Sequence, residues 1–290
     1  MTAASPGLRL RRRLARPEIL VAPGAYDALS ARLAGLAGAE AVYMTGFGIA
    51  GSLLGVPDIG LVTATEMADR VRALAEAAGP APLIADGDNG HGGPLNAARL
   101  TRLYEQAGAA CIQLEDQVLP KRCGHMAGKA VVPLAEARAR IRAAIDSRQD
   151  PDFCIMARTD ALATDGLDEA LRRADAYLGA GADLLFIEAP KSLDDMAAIA
   201  ARFPETPLVA NMVEDGATPL RDARALQEIG FALVILPVSA LLVAAGALRE
   251  AYEALVGQGQ LAPATRRLGF ADYNECLGLS TLHARAANWT

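Results

Sequence analysis

The chain has 290 residues, of which 52% are hydrophobic, 21% charged and 4% aromatic, a composition typical of a globular rather than a disordered protein. Its formal net charge of −6 argues against a nucleic-acid surface, which needs a clustered excess of Lys and Arg. The four cysteines, Cys111, Cys123, Cys154 and Cys276, lack CxxC spacing and so predict neither a disulfide framework nor a zinc site.

The chain begins with a basic segment, LRLRRRLARPE (8–18), which lacks the apolar stretch of a secretory signal. We expect a solvated lead-in helix here rather than a targeting address. The longest apolar run, FALVILPVSALLVAAGA (231–247), contains Pro237 and is too short and interrupted to span a membrane. The sequence therefore predicts a cytoplasmic protein that has neither a membrane nor a nucleic acid as partner.

Short apolar runs recur along the chain and alternate with helical segments. Most are nearly continuous and end in a polar residue, which is typical of parallel strands covered on both faces. Segments rich in Ala, Leu, Arg and Glu with 3.6-residue periodicity lie between them, for example at 95–109, 167–182 and 220–231. The predicted strands lie at 18–24, 39–46, 81–88, 110–116, 152–160, 182–190, 206–212 and 231–239.

Eight strands in alternation with helices predict an α/β fold of the (β/α)8 TIM-barrel type, and a doubly wound open sheet is the structural alternative. We divide the chain into an N-terminal lead-in at 1–17, a catalytic barrel at 18–257 and a helical tail at 258–290. The tail has no strand partner, and we expect one or two helices packed outside the barrel or on a neighbouring subunit.

Polar side chains stand where the predicted strands end, and in a barrel of this type those ends carry the active site. The set predicts a polar, acid-rich pocket. Its members in chain order are Tyr43, Thr45, Asp86, Asp88, Glu115, Asp116, Arg158, Asp160, Glu188, Asn211 and Ser239.

Two groups in this set have specific chemistry. Asp86 and Asp88, with Glu115 on the next strand, fit a hard divalent cation such as Mg²⁺, which prefers carboxylate oxygens. The alternative is a pair of helix-capping aspartates and a solvated acid. Arg158 suits a bidentate clamp on a substrate carboxylate, or a salt bridge to Glu115 or Glu188.

The loop after the fourth strand, LPKRCGHMAGKAVVP (119–133), is long and contains glycines as flexible points. These features predict a lid that closes over a substrate. Its cations surround Cys123 and are expected to lower the pKa of the thiol and make it reactive. Cys111 and Cys154 lie within apolar strands and are expected to be inert core residues.

The segment GFGIAG (46–51) matches the dinucleotide pattern G-x-G-x-x-G. That pattern should begin a long helix, yet Gly55 and Pro57 interrupt any helix here. We therefore favour backbone amides that bind a carboxylate over a nucleotide site.

Several segments together resemble the isocitrate lyase/phosphoenolpyruvate mutase superfamily, over about residues 18 to 255. Within it the chain looks most like the group of 2-methylisocitrate lyase, 2,3-dimethylmalate lyase, petal death protein and carboxyphosphonoenolpyruvate mutase. The segments are PGAYDALSAR (23–32), YMTGFG (43–48), LGVPDIGL (54–61), DGDNGHGG (86–93), LEDQVLPKRCGHMAGKAVV (114–132), ARTDA (157–161), EAP (188–190) and ANMVEDGATP (210–219).

The resemblance implies a barrel whose C-terminal helices are exchanged between subunits of a homodimer or homotetramer, and a Mg²⁺ cofactor that Mn²⁺ could replace. It implies a metal site formed by Asp58, Asp86, Asp88 and Glu115. The expected binding set for a small carboxylate substrate, to which we add the strand-end Ser239, is Thr45, Gly46, Phe47, Gly124, Arg158, Asn211 and Ser239. The expected catalytic set is Tyr43, Lys121, Cys123, His125 and Glu188.

These assignments predict Mg²⁺-dependent cleavage of a 2-substituted malate, or of an acid like 2-methylisocitrate, to pyruvate and a carboxylic acid. Tyr43 is a candidate base for the 2-hydroxyl group, and Cys123 would protonate the carbanion with His125 and Glu188 in support. The alternatives are a phosphonomutase acting on a P–C bond, an oxaloacetate hydrolase and a non-catalytic binding barrel. Pro237 stands where relatives that hydrolyse oxaloacetate tend to have Ser, which disfavours that activity.

Overall fold

The computed structural model describes residues 4–124 and 128–289, in which eight parallel strands form a barrel. The strand order is β6-β5-β4-β3-β2-β1-β8-β7, and a parallel bridge between Leu185 and Leu208 joins the two ends. All eight predicted strands are confirmed, and the chain is a (β/α)8 TIM barrel rather than an open sheet. The strands are Leu20–Ala25 (β1), Val42–Met44 (β2), Leu83–Asp86 (β3), Cys111–Glu115 (β4), Cys154–Thr159 (β5), Leu184–Ile187 (β6), Val209–Asn211 (β7) and Leu233–Leu236 (β8).

Helices surround the strands. A π-helical turn at Ala50–Leu54 follows the third helix. The three helices named from periodicity form close to the predicted limits. The α-helices of the described residues are Pro6–Leu14 (α1), Ala28–Leu36 (α2), Gly46–Ile49 (α3), Ala64–Ala77 (α4), Pro94–Gln106 (α5), Leu134–Ser147 (α6), Ala161–Thr164 (α7), Leu167–Ala180 (α8), Leu193–Arg202 (α9), Ala223–Ile229 (α10), Ser239–Gln258 (α11), Phe270–Cys276 (α12) and Leu279–Ala287 (α13).

Most strand residues are apolar, as expected where both faces of a strand are buried. In β3, Ile84 points into the barrel interior, where it packs with residues such as Met156 and Phe186. Its neighbours Leu83 and Ala85 belong instead to the layer between the strands and the helices. This double burial leaves the carboxyl ends of the strands as the positions where polar side chains collect.

Helix α1 forms within the predicted lead-in, but it is not simply a solvated helix. Leu10 is fully buried and packs with the residues of the barrel interior. Arg11 pairs with Asp183 at 2.7 Å, and the backbone at Gly7 lies against that of Asp152. The expectation of a solvated helix was wrong because this short segment carries an apolar residue that the barrel buries.

The chain divides into two compact units, Met1–Ser239 and Ala240–Thr290. The first contains the barrel strands, and the second contains most of α11 together with α12 and α13, none of which has a buried residue. The sequence analysis instead placed the end of the barrel at residue 257, near the end of α11. That division of the chain stays a prediction. No helix of the described residues is long and apolar enough to cross a membrane.

One buried carboxylate joins two strands to a helix on the outside of the barrel. Asp116, just after β4, accepts hydrogen bonds from Thr159 Oγ1 at 2.6 Å and from the amide of Asp160 at 2.9 Å, both beside β5. From α8 it accepts hydrogen bonds from Tyr177 Oη at 2.7 Å and Arg173 Nη1 at 3.1 Å. Although it stands at a strand end, Asp116 holds the wall of the barrel together.

We expect Asp116→Ala to lower the free energy of unfolding by about 3–5 kcal/mol, because it leaves the buried guanidinium group of Arg173 without this partner. Urea unfolding followed by circular dichroism measures the change. Asp146→Ala is the matched control, since Asp146 forms an exposed helical ion pair with Arg142 that contributes less than about 1 kcal/mol. Equal unfolding free energies for the two variants would contradict this role of Asp116.

Candidate active site

Two glycines bring the aspartates after β3 into position. A Cβ atom at Gly87 would lie 2.8 Å from the carbonyl oxygen of Gln113, so only glycine fits between Asp86 and Asp88. Asp88 then adopts the left-handed conformation, with φ of 49°, which is uncommon for a residue other than glycine. At the start of α3, Gly46 lies against both carboxylates and donates its amide hydrogen to Asp86 Oδ2 at 3.2 Å.

Lys121 of the loop lies between two of the predicted metal ligands. Its Nζ atom is 2.6 Å from both Asp58 Oδ1 and Asp88 Oδ1. Burial lowers the pKa of this amine, but the surrounding carboxylates outweigh burial and raise the pKa well above its usual value. Lys121 is therefore an ammonium ion held among carboxylates.

Burial makes ionisation of three of these carboxylates costly. Burial, with the charge of Asp88 next, raises the pKa of Asp86 to about 6, and Asp86 forms no ion pair within the described ranges. Burial also raises the pKa of Asp58 and, strongly, that of Glu115. Glu115 Oε1 is buried and has no hydrogen-bond partner in the part of the chain that the structure describes.

These residues fit a divalent cation bound partly through water. Oxygen ligands and incomplete protein coordination are the preference of Mg²⁺, which keeps several waters and binds one or two carboxylates directly. Residues 4–124 and 128–289 contain no group of three His, Cys, Asp or Glu side chains already arranged around one point. The assignment of Asp58, Asp86, Asp88 and Glu115 to the metal therefore stays a prediction.

Arg158 lies at the end of β5 and is surrounded by carboxylates. It forms a bidentate pair with Asp160 at 2.9 and 3.1 Å, and it lies 3.3 Å from Glu115 and 3.6 Å from Glu188. Its guanidinium carbon lies 5.1 Å from the centre of the Phe186 ring. The salt bridges expected of Arg158 are thus present, whereas its contact with a substrate carboxylate stays a prediction.

The charge of Arg158 controls the ionisation of its partner. Burial raises the pKa of Asp160, but Arg158 and Lys129 outweigh burial and lower it to about 2. Asp160 is therefore ionised, and it fixes the plane of the guanidinium group. On β7, Asn211 donates from Nδ2 to both oxygens of Glu188, at 3.3 and 3.2 Å, so these two predicted residues lie together.

Tyr43 and Asp86 are joined through Gln113, a residue that our sequence analysis missed. Tyr43 Oη donates to Gln113 Oε1 at 2.8 Å, and Gln113 Nε2 donates to Asp86 Oδ1 at 3.1 Å. Burial, with the charge of Asp86 next, raises the pKa of Tyr43 well above its usual value and thus favours the neutral phenol. A glutamine within the apolar run of β4 was the signal that could have identified this link.

The segment that follows β2 forms two short helical turns rather than a long helix. Gly46–Ile49 and Ala50–Leu54 end at Gly55, which has a left-handed φ of 67°. The expected interruption of the helix at Gly55 is confirmed, whereas binding of a carboxylate by this turn stays a prediction. Thr45 is buried and accepts the amide hydrogen of Gly48 at 3.3 Å, while Phe47 is half-buried.

The loop after β4 closes over these residues. A Cβ atom at Gly124 would overlap Glu188 Oε1 and Arg158 Nη2, so the loop backbone lies directly on that ion pair. The preceding residue, Cys123, is half-buried and forms no disulfide. His125 lies outside the described residues, so its predicted role stays a prediction.

The neck of the loop is closed by the backbone and by one glutamine. Gln117 pairs with Val131 across an antiparallel bridge. Its side chain binds the backbone of Arg122, with Nε2 donating to the carbonyl oxygen at 2.9 Å and Oε1 accepting the amide at 3.0 Å. The base of the loop is therefore fixed, and its movement as a lid stays a prediction.

The remaining predicted residues divide into two cases. Ser239 begins α11, and its hydroxyl group has no hydrogen-bond partner within 4–124 and 128–289, so its contact with a substrate stays a prediction. Cys111 and Cys154 are buried in adjacent strands. Burial raises the pKa of Cys154 to about 12, as expected of inert core thiols.

Known proteins resemble this chain over most of its length. The chain is 45% identical over 282 residues to 2,3-dimethylmalate lyase of Eubacterium barkeri, with 97% of each chain covered. It is 44% identical over 239 residues to 2-methylisocitrate lyase of Bacillus subtilis (strain 168), covering 82% of this chain and 78% of that one.

Solved structures match over nearly the whole chain. A crystal structure of 2,3-dimethylmalate lyase superposes with a TM-score of 0.94 at 39% identity, covering 99% of this chain and 96% of that one. Oxaloacetate acetylhydrolase with 3,3-difluorooxalacetate gives 0.93 at 37%, covering 98% and 97%. Phosphonopyruvate hydrolase in complex with oxalate and Mg²⁺ gives 0.86 at 30%, covering 98% and 99%.

A family model described as phosphoenolpyruvate phosphomutase matches residues 10–256, which include every barrel strand and the lid. The superfamily resemblance found in the sequence motifs is thereby confirmed. The chain belongs to the phosphoenolpyruvate phosphomutase family, within the phosphoenolpyruvate mutase/isocitrate lyase superfamily.

Proposed function

We propose that this enzyme is a Mg²⁺-dependent carbon–carbon lyase that cleaves a 2-substituted malate, or an acid like 2-methylisocitrate, to pyruvate and a carboxylic acid. The observation that carries the proposal is the contact of the lid with the Arg158–Glu188 pair, which brings Cys123 to the carboxyl end of the barrel. Relatives named 2,3-dimethylmalate lyase and 2-methylisocitrate lyase support it.

We assign the metal to Asp86, Asp88 and Glu115, with Asp58 nearby, and expect Mn²⁺ to replace Mg²⁺. The raised pKa values of the buried Asp86 and Glu115, which a nearby cation would lower, support the assignment, as does the Mg²⁺ complex of a related hydrolase. When bound, a divalent cation polarises oxygen atoms of the substrate and neutralises charge that develops on them.

The protein groups would bind and orient the substrate around this charge. Arg158 is a fork of donors whose plane Asp160 holds, so it can bind one substrate carboxylate. Gly46 and Phe47, with the hydroxyl group of Thr45, form a turn whose amides suit another carboxylate. Asn211 and Ser239 complete the proposed binding set on the opposite side of the barrel, and Gly124 covers it.

The proposed reaction moves one proton from oxygen to carbon. The 2-hydroxyl group loses its proton, the C2–C3 bond breaks, and C2 becomes the carbonyl carbon of the 2-oxo acid. The electron pair of the broken bond passes to C3, which takes the thiol proton of Cys123. Tyr43 stays a candidate for the base, although its raised pKa favours the neutral phenol, which would orient the hydroxyl group by hydrogen bonding.

Lys121, His125 and Glu188 would support these two proton transfers. Lys121 is a buried cation beside the metal ligands, so it can stabilise negative charge on the substrate when the lid is closed. Glu188 accepts both hydrogen bonds from Asn211 and lies under the lid backbone. From there it can orient Cys123 and assist the return of a proton to its thiolate.

We also propose a cytoplasmic homodimer or homotetramer that exchanges its C-terminal helices. Helix α11 has 20 residues and none is buried in the single chain, and large apolar side chains such as Val256 and Phe270 are exposed. Burial of such surface in a neighbouring subunit would be favourable. The proposed partners are a small carboxylate substrate and other copies of the chain, with neither nucleic acid nor membrane.

The proposed function predicts release of pyruvate from 2,3-dimethylmalate or 2-methylisocitrate that requires Mg²⁺ and stops when a chelator is added. A coupled dehydrogenase assay measures the product. Oxalate formed from oxaloacetate would indicate the hydrolase instead, and conversion of a phosphonate would indicate the mutase. Absence of turnover and of Mg²⁺-dependent oxalate binding would favour a non-catalytic barrel.

We expect Cys123→Ser to lower kcat by about 10²–10⁴-fold, the usual contribution of a positioned proton donor, while binding of Mg²⁺ with oxalate stays unchanged. Steady-state kinetics and isothermal titration calorimetry measure the two effects. Cys276→Ser, in the C-terminal unit, is the matched control and should keep full activity. Full activity in Cys123→Ser would remove this thiol from the mechanism.

We expect Gly46→Ala to weaken Mn²⁺ binding at least about tenfold, a change of about 1.4 kcal/mol. The added Cβ atom would lie 2.7 Å from Asp86 Oδ2 and 3.3 Å from Asp88 Oδ1, so the proposed ligands must move. Electron paramagnetic resonance of free Mn²⁺ measures the affinity. Gly51→Ala is the control, since nothing lies within 4 Å of its Cβ position, and equal affinities would contradict the metal assignment.

A further inference from the structure

A second lysine of the lid lies outside the set proposed for binding and catalysis. The chain has only three lysines, Lys121, Lys129 and Lys191, and two of them are in the lid. The side chain of Lys129 is 4% exposed, which is rare for a lysine and occurs where the charge is paired. Its position therefore calls for a physical role.

Lys129 connects two parts of the lid and the barrel. Its ammonium group donates a hydrogen bond to the carbonyl oxygen of Gly124 and another to Asp160 Oδ1, which is 2.7 Å away. Gly124 belongs to the tip of the lid, next to Cys123, whereas Asp160 follows β5 in the barrel wall. A single cation thus ties the tip of the lid to the barrel.

The same contact joins the lid to the arginine proposed to bind the substrate. Asp160 Oδ1 accepts hydrogen bonds from both Lys129 Nζ and Arg158 Nη2, and Asp160 Oδ2 accepts one from Arg158 Nε. Arg158 Nη2 also lies under the backbone of Gly124. When the lid is closed, Lys129, Asp160 and Arg158 therefore form one continuous group of charges beneath its tip.

The base of the lid cannot supply this attachment. The hydrogen bond from the amide of Val118 to Ala130 O, at 3.0 Å, and the Gln117–Val131 bridge close only the neck. Residues beyond the neck need contacts of their own to stay over the barrel. Lys121 makes one such contact on the side of β3, and Lys129 makes the other on the side of β5.

We propose that Lys129 is a positioning residue, whose ammonium group latches the closed lid to Asp160 and thereby holds Cys123 over the substrate. The effect on turnover rests on the proposed lyase function, but the latch itself joins groups of this chain alone. Charge-assisted hydrogen bonds of this kind are about twice as strong as neutral ones, so loss of the ammonium group should open the lid. Lys129→Met keeps an unbranched side chain of nearly the same length and removes the ammonium group, with its charge and its hydrogen-bond donors.

Alkylation of Cys123 by iodoacetamide, followed by mass spectrometry in the absence of substrate, measures opening of the lid. Cys276, in the C-terminal unit, serves as an internal reference, and the buried Cys111 and Cys154 should not react. We expect labelling of Cys123 relative to Cys276 to be at least about tenfold faster in Lys129→Met, since a hydrogen bond to a charged group is worth about this factor. Lys129→Arg should restore slow labelling in part.

Lys191→Met is the matched control, because Lys191 is exposed and outside the lid. For pyruvate release we expect Lys129→Met to lower kcat about tenfold and to change KM by less than about threefold, since the latch acts after substrate has bound. Labelling as slow as in Lys191→Met, or faster labelling with an unchanged kcat, would overturn the proposal. If the native enzyme releases no pyruvate, the labelling rates still decide whether the latch exists, and the lyase assignment alone fails.

Discussion

The guanidinium group of Arg158 is the charge on which the carboxyl end of the barrel depends. It lies within ion-pair distance of Glu115, Asp160 and Glu188, which come from three adjacent strands or their ends. Burying one carboxylate without a partner would cost several kcal/mol, so these strand ends can carry acids only because a buried cation lies between them. Arg158 and Lys121 are the buried cations among these acids, and the metal ion proposed for Asp86, Asp88 and Glu115 would add further positive charge there.

The lid depends on the same charges. Its backbone reaches the barrel at Gly124, where any side chain would overlap the Arg158–Glu188 pair, and its two lysines each end on aspartates of the barrel. Closing the lid therefore removes water from the ion pairs and strengthens each of them. The proposed binding of substrate, closure of the lid and placement of the thiol would in this way depend on one electrostatic arrangement.

Much of the barrel could be predicted because its physics is local. Strands covered on both faces must be apolar throughout, and helices must show 3.6-residue periodicity, so all eight strands were found from sequence. The order of strands likewise predicted the residues at the strand ends, and the length and glycines of the loop after β4 predicted a lid. The lead-in helix was mistaken for a solvated one because a single Leu10 in a basic segment does not indicate what buries it.

The sequence by itself determined the parallel barrel, the family and the chemical character of the pocket, since each follows from the order of residue types along the chain. Only the tertiary structure decided which charges share a partner. The hydrogen bonds of Gln113 to Tyr43 and Asp86 and of Lys129 to Asp160 join positions far apart in the chain. Such pairs depend on strand register and on the path of the lid, which no local pattern encodes, and electrostatic energy varies with distance and burial more than with residue type.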